Sequence, residues 1–232
     1  MKKIFKVFQL FLNKFKIQLK QTEMKTQRTI YHFIVDKSGS MSDCIQATIN
    51  GYNEQVSMIK NLEVEFPEQD ITIGLSTFNN YVDHKYFMQM SGMALEMNTQ
   101  NYRPNGGTAL YDAIGTSIEK LEEYHTVSGE QLPTTVVVVI LTDGYENASR
   151  IYNLYQIKSK IESLESTGNW TFSFIGATLD AADVAERMSI KRSNSFAFDK
   201  SNMESEVWHK MSDSMRSYSN KKRMGDDLSE LF

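Results

Sequence analysis

Three short segments carry side-chain oxygens at spacings that suit a metal ion. They are Asp36-Lys37-Ser38-Gly39-Ser40-Met41-Ser42, Asn105-Gly106-Gly107-Thr108 and Thr142-Asp143-Gly144. Asp36, Ser38 and Ser40 alternate by two, so a segment leaving a strand in extended form can turn all three toward one point, and Gly39 lets the backbone bend between the serines. Gly106-Gly107 allows a second backbone to come close and bring the Thr108 hydroxyl to the same place. The candidate donors are two carboxylates, Asp36 and Asp143, and three hydroxyls, Ser38, Ser40 and Thr108. Hard oxygens of this kind suit Mg²⁺ or Mn²⁺ rather than zinc or copper. Two carboxylates brought together repel each other, and a bound dication relieves that repulsion.

Such a set needs a frame that gathers distant segments, and the rest of the chain reads as one. Residues 29–35 are rich in β-branched and aromatic types and read as a strand, and 43–62 as a helix with Ile45, Ile49, Tyr52, Val56 and Ile59 on one face. Residues 71–78 form a strand, Asn79-Asn80 a turn, and 81–90 its hairpin partner. A helix over 108–125 has Leu110, Ile114, Ile118 and Leu121 as its stripe. The unbroken apolar run at 136–141 is the mark of a strand buried on both faces of a parallel sheet. Helices follow at 153–166, 179–188 and 203–222, with strands at 170–175 and 195–198. Alternating strands and helices build βαβ units, whose right-handed crossovers place helices on both faces of a mostly parallel sheet. The expected fold is therefore α/β and doubly wound, and its ligand site lies at the carboxyl ends of the strands, where strand order reverses. All three oxygen-bearing segments follow or precede elements at that rim.

Composition narrows the function. At 232 residues, 41% hydrophobic and 23% charged, the chain suits one soluble α/β domain. A net charge of −4 argues against a nucleic-acid coat. Cys44 is the single cysteine, so no internal disulfide forms and a cytoplasmic location is expected. The four histidines are scattered without zinc spacing. Residues 1–23 form a basic amphipathic extension, with Phe5, Phe8, Phe11, Leu12 and Phe15 among lysines. It is too short in apolar residues to span a bilayer, could lie on a membrane surface, and could be dispensable, since Met24 would serve equally as a start. The main domain covers 24–225, and an acidic-hydrophobic tail 226–232. Glu146 and Asn147 read as residues of a solvated loop at the site's rim, and Asp112 as an acid favoured by its helix dipole.

Each oxygen-bearing segment alone has a plain structural reading: a turn, a helix N-cap, an Asp-Gly bend. Their joint order is more telling. Asp36-x-Ser38-x-Ser40 with Thr108 and Asp143, set in apolar strand–Asp-x-Ser-Gly-Ser-Met, Gly-Gly-Thr-Ala-Leu and apolar strand–Leu-Thr-Asp-Gly contexts, resembles the metal-ion-dependent adhesion site (MIDAS) of von Willebrand factor A domains. The resemblance runs over about residues 29–222 and is nearest to the small free-standing A-domain proteins of bacteria and phages. It implies a Rossmann-like sheet of six strands with one antiparallel edge strand at 81–90. It also implies direct metal bonds from Ser38, Ser40 and Thr108, contacts from Asp36 and Asp143 mostly through water, and an open position completed by an acidic side chain of a protein partner. Met41, Ser42, Asn79, Tyr145 and Glu146 are then expected to frame that partner. No histidine falls in the three segments to activate a serine, so a binding module is expected rather than an enzyme. The alternative is a metal-assisted phosphohydrolase using Asp36 or Asp143, but the second acid such enzymes place two residues after the first is replaced here by Ser38.

Overall fold

The computed structural model describes residues 25–127, 132–177, 180–200 and 203–232; the extension expected over 1–23 lies outside them. Strand β1 (Gln27–Asp36) leads through a 3₁₀ turn (Gly39–Cys44) into α1 (Ile45–Glu65). Strands β2 (Gln69–Phe78) and β3 (Val82–Met90) follow, then α2 (Leu110–Val127), β4 (Thr134–Thr142), α3 (Leu154–Glu165), β5 (Trp170–Gly176), α4 (Ala181–Arg187), β6 (Ser195–Ala197) and α5 (Met203–Met224).

The strands form one six-stranded sheet in the order β3-β2-β1-β4-β5-β6. Every pairing is parallel except β2 with β3, which makes β3 an antiparallel edge strand, as expected from 81–90. Every residue of β4 is buried, which accounts for its continuous apolar sequence. Side-chain alternation divides the core in two. Tyr31, Phe33, Val35, Val137, Val139 and Leu141 face the cluster covered by α1 and α5, whereas Ile30, Ile34, Val136, Val138 and Ile140 face α2, α3 and α4. On the first face Trp208 Nε1 donates to Ala47 O at 3.1 Å and ties α5 to α1.

The strand order reverses between β1 and β4, which pair from Arg28↔Thr134 to Val35↔Leu141. At the amino ends of this pair sits Lys222 from α5, 7% exposed. Its ammonium donates to Arg28 O, to Thr29 Oγ1 at 2.9 Å and to Thr135 Oγ1 at 2.7 Å. Residues 226–232 fold back over β5 rather than trailing away. Thr171 Oγ1 donates to Leu228 O at 2.8 Å, Leu231 N to Asn194 Oδ1 at 2.8 Å, and Leu231 is 2% exposed. Among the described residues no helix is long and apolar enough to cross a membrane.

Candidate metal centre

The carboxyl ends of β1 and β4 are neighbours at the reversal of strand order, so Asp36, the last residue of β1, and Asp143, the first after β4, arrive together. Asp36 is fully buried and each of its oxygens is held: Oδ1 accepts the Ser38 amide at 2.6 Å, and Oδ2 the Thr142 hydroxyl at 2.6 Å. Its backbone carbonyl accepts the buried Tyr102 hydroxyl at 2.6 Å, which fixes where β1 ends. Burial pushes the Asp36 carboxyl up to about 6, against the hydrogen bonds from Thr142 and Ser38, and the nearby charge of Asp143 adds to the rise.

From Asp36 the donors run in a chain. Ser38 Oγ and Ser40 Oγ are 3.1 Å apart, and Ser40 Oγ donates to Asp143 Oδ1 at 2.6 Å. Thr108 joins from the other side. A Cβ placed on Gly144 would lie 3.0 Å from Thr108 Oγ1 and 3.4 Å from Ser40 Oγ, so both hydroxyls look onto the space that glycine leaves open. The five residues expected to hold a cation therefore converge on one crevice, although they come from three loops. Among the described residues no three acidic, histidine or cysteine side chains gather. The donor set is of hydroxyls around two carboxylates, all oxygen, which can hold a divalent cation.

The loops are locked by backbone as much as by side chains. Gly39 N donates to Gly106 O at 3.0 Å, and Asn105 N to Lys37 O at 2.9 Å. Gly106 has φ +74°, and a Cβ there would meet Asn80 Oδ1 at 2.0 Å, so only glycine fits. Thr108 does not cap α2, which begins at Leu110. It is held two residues earlier by Asn147, whose Oδ1 accepts Thr108 N at 2.8 Å while Asn147 N donates to Thr108 O at 3.0 Å.

Several expectations about the rim need correction. Met41 is fully buried in the core and presents nothing to a partner. Glu146 is a clasp rather than a solvated loop residue: Oε1 accepts the amides of Ala148 and Ser149 at 3.0 and 2.8 Å, and Oε2 accepts Tyr111 N at 3.0 Å. Asp112 has more to do than favour a helix dipole. Its carboxylate accepts the amides of Arg150, Ile151 and Tyr152 at 2.8, 2.9 and 2.8 Å and folds the loop after Asp143 against α2. The Cys44 thiol is buried, which pushes its pKa up and makes it unreactive. Tyr81, after the Asn79-Asn80 turn, and Tyr145, after Gly144, remain as large exposed side chains, 74% and 56% exposed.

Reading the sequence alone misses Lys200 altogether. Its ammonium lies 2.5 Å from Asp143 Oδ2, donates to Ser40 O at 2.8 Å and is 3.8 Å from Asp43 Oδ2. Asp143 Oδ2 has this ion-pair contact but no partner in full hydrogen-bond alignment. Burial lowers the Lys200 pKa, and the hydrogen bond and charge of Asp143 more than offset it, leaving a net rise. Nothing in the local sequence ties residue 200 to residues 40 and 143; only the course of the chain beyond β6 brings it there.

The family model described as "von Willebrand factor type A domain" matches residues 32–213. Solved structures share the fold at low identity. The PilB minor pilin from Streptococcus sanguinis is 14% identical, TM-score 0.56, covering 83% of this chain and 62% of that one. A von Willebrand factor type A protein from Catenulispora acidiphila is 16% identical, TM-score 0.53, covering 80% and 42%. Proximal thread matrix protein 1 from the mussel byssus, solved with a zinc-occupied MIDAS motif, is 16% identical, TM-score 0.53, covering 77% and 46%. This chain thus spans less than two thirds of each of those chains. No curated protein matches the sequence.

Proposed function

Because the chain belongs to the von Willebrand factor type A domain family, we propose that it is a binding module in which Asp36, Ser38, Ser40, Thr108 and Asp143 hold one divalent cation, Mg²⁺ or Mn²⁺, and offer it to a carboxylate of a protein partner. The observation that carries this reading is the meeting of Ser40 and Thr108 hydroxyls, 68 residues apart in sequence, over Gly144 and beside the Asp143 carboxylate. The mussel protein with zinc at its MIDAS motif supports the choice of a divalent ion.

Bound there, the cation would supply a Lewis-acidic position that takes up an external carboxylate oxygen. The chain's own residues do the rest. Thr142 and the Ser38 amide orient Asp36, Asn147 fixes Thr108, and the clasps made by Glu146 and Asp112 hold the loop after Asp143 in place. The Asp36 oxygens are taken up by an amide and a hydroxyl, a setting for an acceptor that orders ligands and not for a nucleophile in search of phosphorus. With Met41 and Glu146 withdrawn, Ser42, Asn79, Tyr81 and Tyr145 are left to frame the partner. The lone buried Cys44 is compatible with the reducing cytoplasm, which we retain as the compartment in this reading.

A pull-down from native lysate with Mg²⁺ and with chelator identifies the partner, and titration of that partner against wild type and Thr108→Ala tests the contact. We expect capture only with the ion and an affinity about tenfold weaker in the variant, the equivalent of about 1.4 kcal/mol. Equal affinity in every arm would move the binding surface elsewhere, and metal-dependent release of phosphate from a model ester, lost in Asp36→Asn, would replace the binding module by a hydrolase.

A further inference from the structure

Lys200 has a geometry that an ordinary surface ion pair lacks. Its partner, the Asp143 side chain, has no exposed area, and the lysine side chain itself is 30% exposed. The ammonium reaches into the crevice far enough to bond the Ser40 carbonyl as well, while the Ser40 hydroxyl points at the other oxygen of the same carboxylate. A positive charge therefore already lies against the anionic wall of the crevice, on the Asp143 oxygen that Ser40 leaves free. A dication seated among Ser40, Thr108 and Asp143 would be a like charge within a few ångströms of it, with little water between to screen the two.

A way out for the lysine is built in. Asp43 lies at the mouth of the crevice, 82% exposed, with its Oδ2 3.8 Å from the same ammonium. A turn of the flexible lysine stem would exchange the buried carboxylate for the exposed one without moving the backbone, since the stem has four rotatable carbons.

We propose that Lys200 is a tethered counter-cation that competes with the divalent ion for Asp143, lowers the ion's affinity, and transfers to Asp43 when the ion binds. The proposal rests on the metal-binding reading above. In the metal-free protein the lysine offsets part of the charge of two crowded carboxylates, so the crevice can stay formed while empty. Its displacement makes occupancy depend on the free concentration of the ion rather than being permanent.

The test is calorimetric titration of the chelator-stripped full chain with Mg²⁺ and with Mn²⁺, for wild type, Lys200→Met, Lys200→Arg, Asp43→Asn and Asp143→Ala. Lys200→Met is expected to bind the ion about tenfold more tightly or better, Lys200→Arg close to wild type, and Asp43→Asn more weakly, because the displaced ammonium loses its second partner. Opposite signs for Lys200→Met and Asp43→Asn are what a merely structural lysine would not give. Should Lys200→Met not fold, amine-reactive labelling of wild type answers the question instead: Lys200 should label faster with Mg²⁺ than with chelator. Unchanged or weaker binding in Lys200→Met, or labelling indifferent to Mg²⁺, overturns the proposal while leaving the metal site standing. Absence of ion binding by wild type, or binding undiminished in Asp143→Ala, overturns the metal site and the proposal together.

Discussion

At the amino ends of β1 and β4 a buried lysine is enclosed by neutral acceptors; at the carboxyl ends of the same two strands a pair of buried carboxylates is enclosed largely by hydroxyls. Lys222 spends its three N–H donors on one carbonyl and two threonine hydroxyls, and no further position remains for a ligand. Asp36 and Asp143 are treated differently. One amide, two hydroxyls and a half-buried ammonium share four carboxylate oxygens, and the hydroxyls of Ser40 and Thr108 still face an opening. The same two strands thus carry a closed polar cluster at one end and an open one at the other. Loops explain the contrast. The amino ends are covered by a long helix that brings one side chain, whereas the carboxyl ends lead into three loops whose backbones pair with one another and leave a crevice between them.

The contrast breaks most visibly if the open end fails to take a cation. Asp36→Asn keeps the shape of the side chain and removes its charge. We expect Mg²⁺ affinity to fall by about a hundredfold, twice the 1.4 kcal/mol that one factor of ten represents. The melting temperature in chelator should not fall, because one of two crowded buried carboxylates has been neutralised. Calorimetric titration and a thermal scan of the same samples check both. Unaltered Mg²⁺ affinity would mean that the open end is only a polar cluster like the closed one.

A smaller effect sharpens the comparison. Thr108→Ala should weaken Mg²⁺ binding by about tenfold, and Thr108→Ser should restore most of it, because the serine keeps the oxygen and loses only a methyl. The backbone bonds that hold this stretch, Thr108 with Asn147 and Ala148 and Ala109 N to Asn79 O, do not involve that oxygen, so Tm in chelator should change little although Thr108 is buried. Equal loss in Ala and Ser would assign Thr108 a packing role.

Much of this was legible in the sequence because it is local or periodic. The β-branched run at 136–141 announced a central strand, the alternation by two of Asp36, Ser38 and Ser40 announced a single loop aimed at one point, and Asn79-Asn80 marked the hairpin that makes β3 an edge. What stayed hidden depends on contacts across the fold. Met41 sits between serines in a polar loop, and only the 3₁₀ turn after Ser38 rotates it into the core. Glu146 reads as a solvated acid until four donors close on it, and Asp112 as a helix-start acid until the amides of 150–152 arrive from a distant loop. Lys200 and Lys222 are two lysines among many by composition. Their roles come from where β6 and α5 end up, which no local pattern encodes.

Lys222 offers the last and mildest test, through pH. Burial pushes its pKa down from 10.5 to about 7, while the carbonyl and the two threonine hydroxyls, as acceptors, favour the charged form. The unfolded chain keeps the proton up to about 10.5, and the folded chain begins to release it near 7. Between those values the unfolded state binds more protons, so this group makes the fold more stable as pH rises; the gain is lost as pH falls toward about 7 and is absent below. Lys222→Met cannot titrate. It removes the lysine donor from Arg28 O, Thr29 Oγ1 and Thr135 Oγ1, of which the two hydroxyls can still turn toward each other, and costs about 1–3 kcal/mol for each acceptor left unsatisfied, at every pH alike. The advantage of wild type over the variant should therefore grow from pH 7 toward pH 10, while Mg²⁺ affinity at the far end of the strands stays the same. Urea midpoints for both proteins at one-unit steps in chelator give the difference directly. Parallel curves would mean that the acceptors hold the lysine fully charged, and the closed end would then bury a true ion, balanced by dipoles alone.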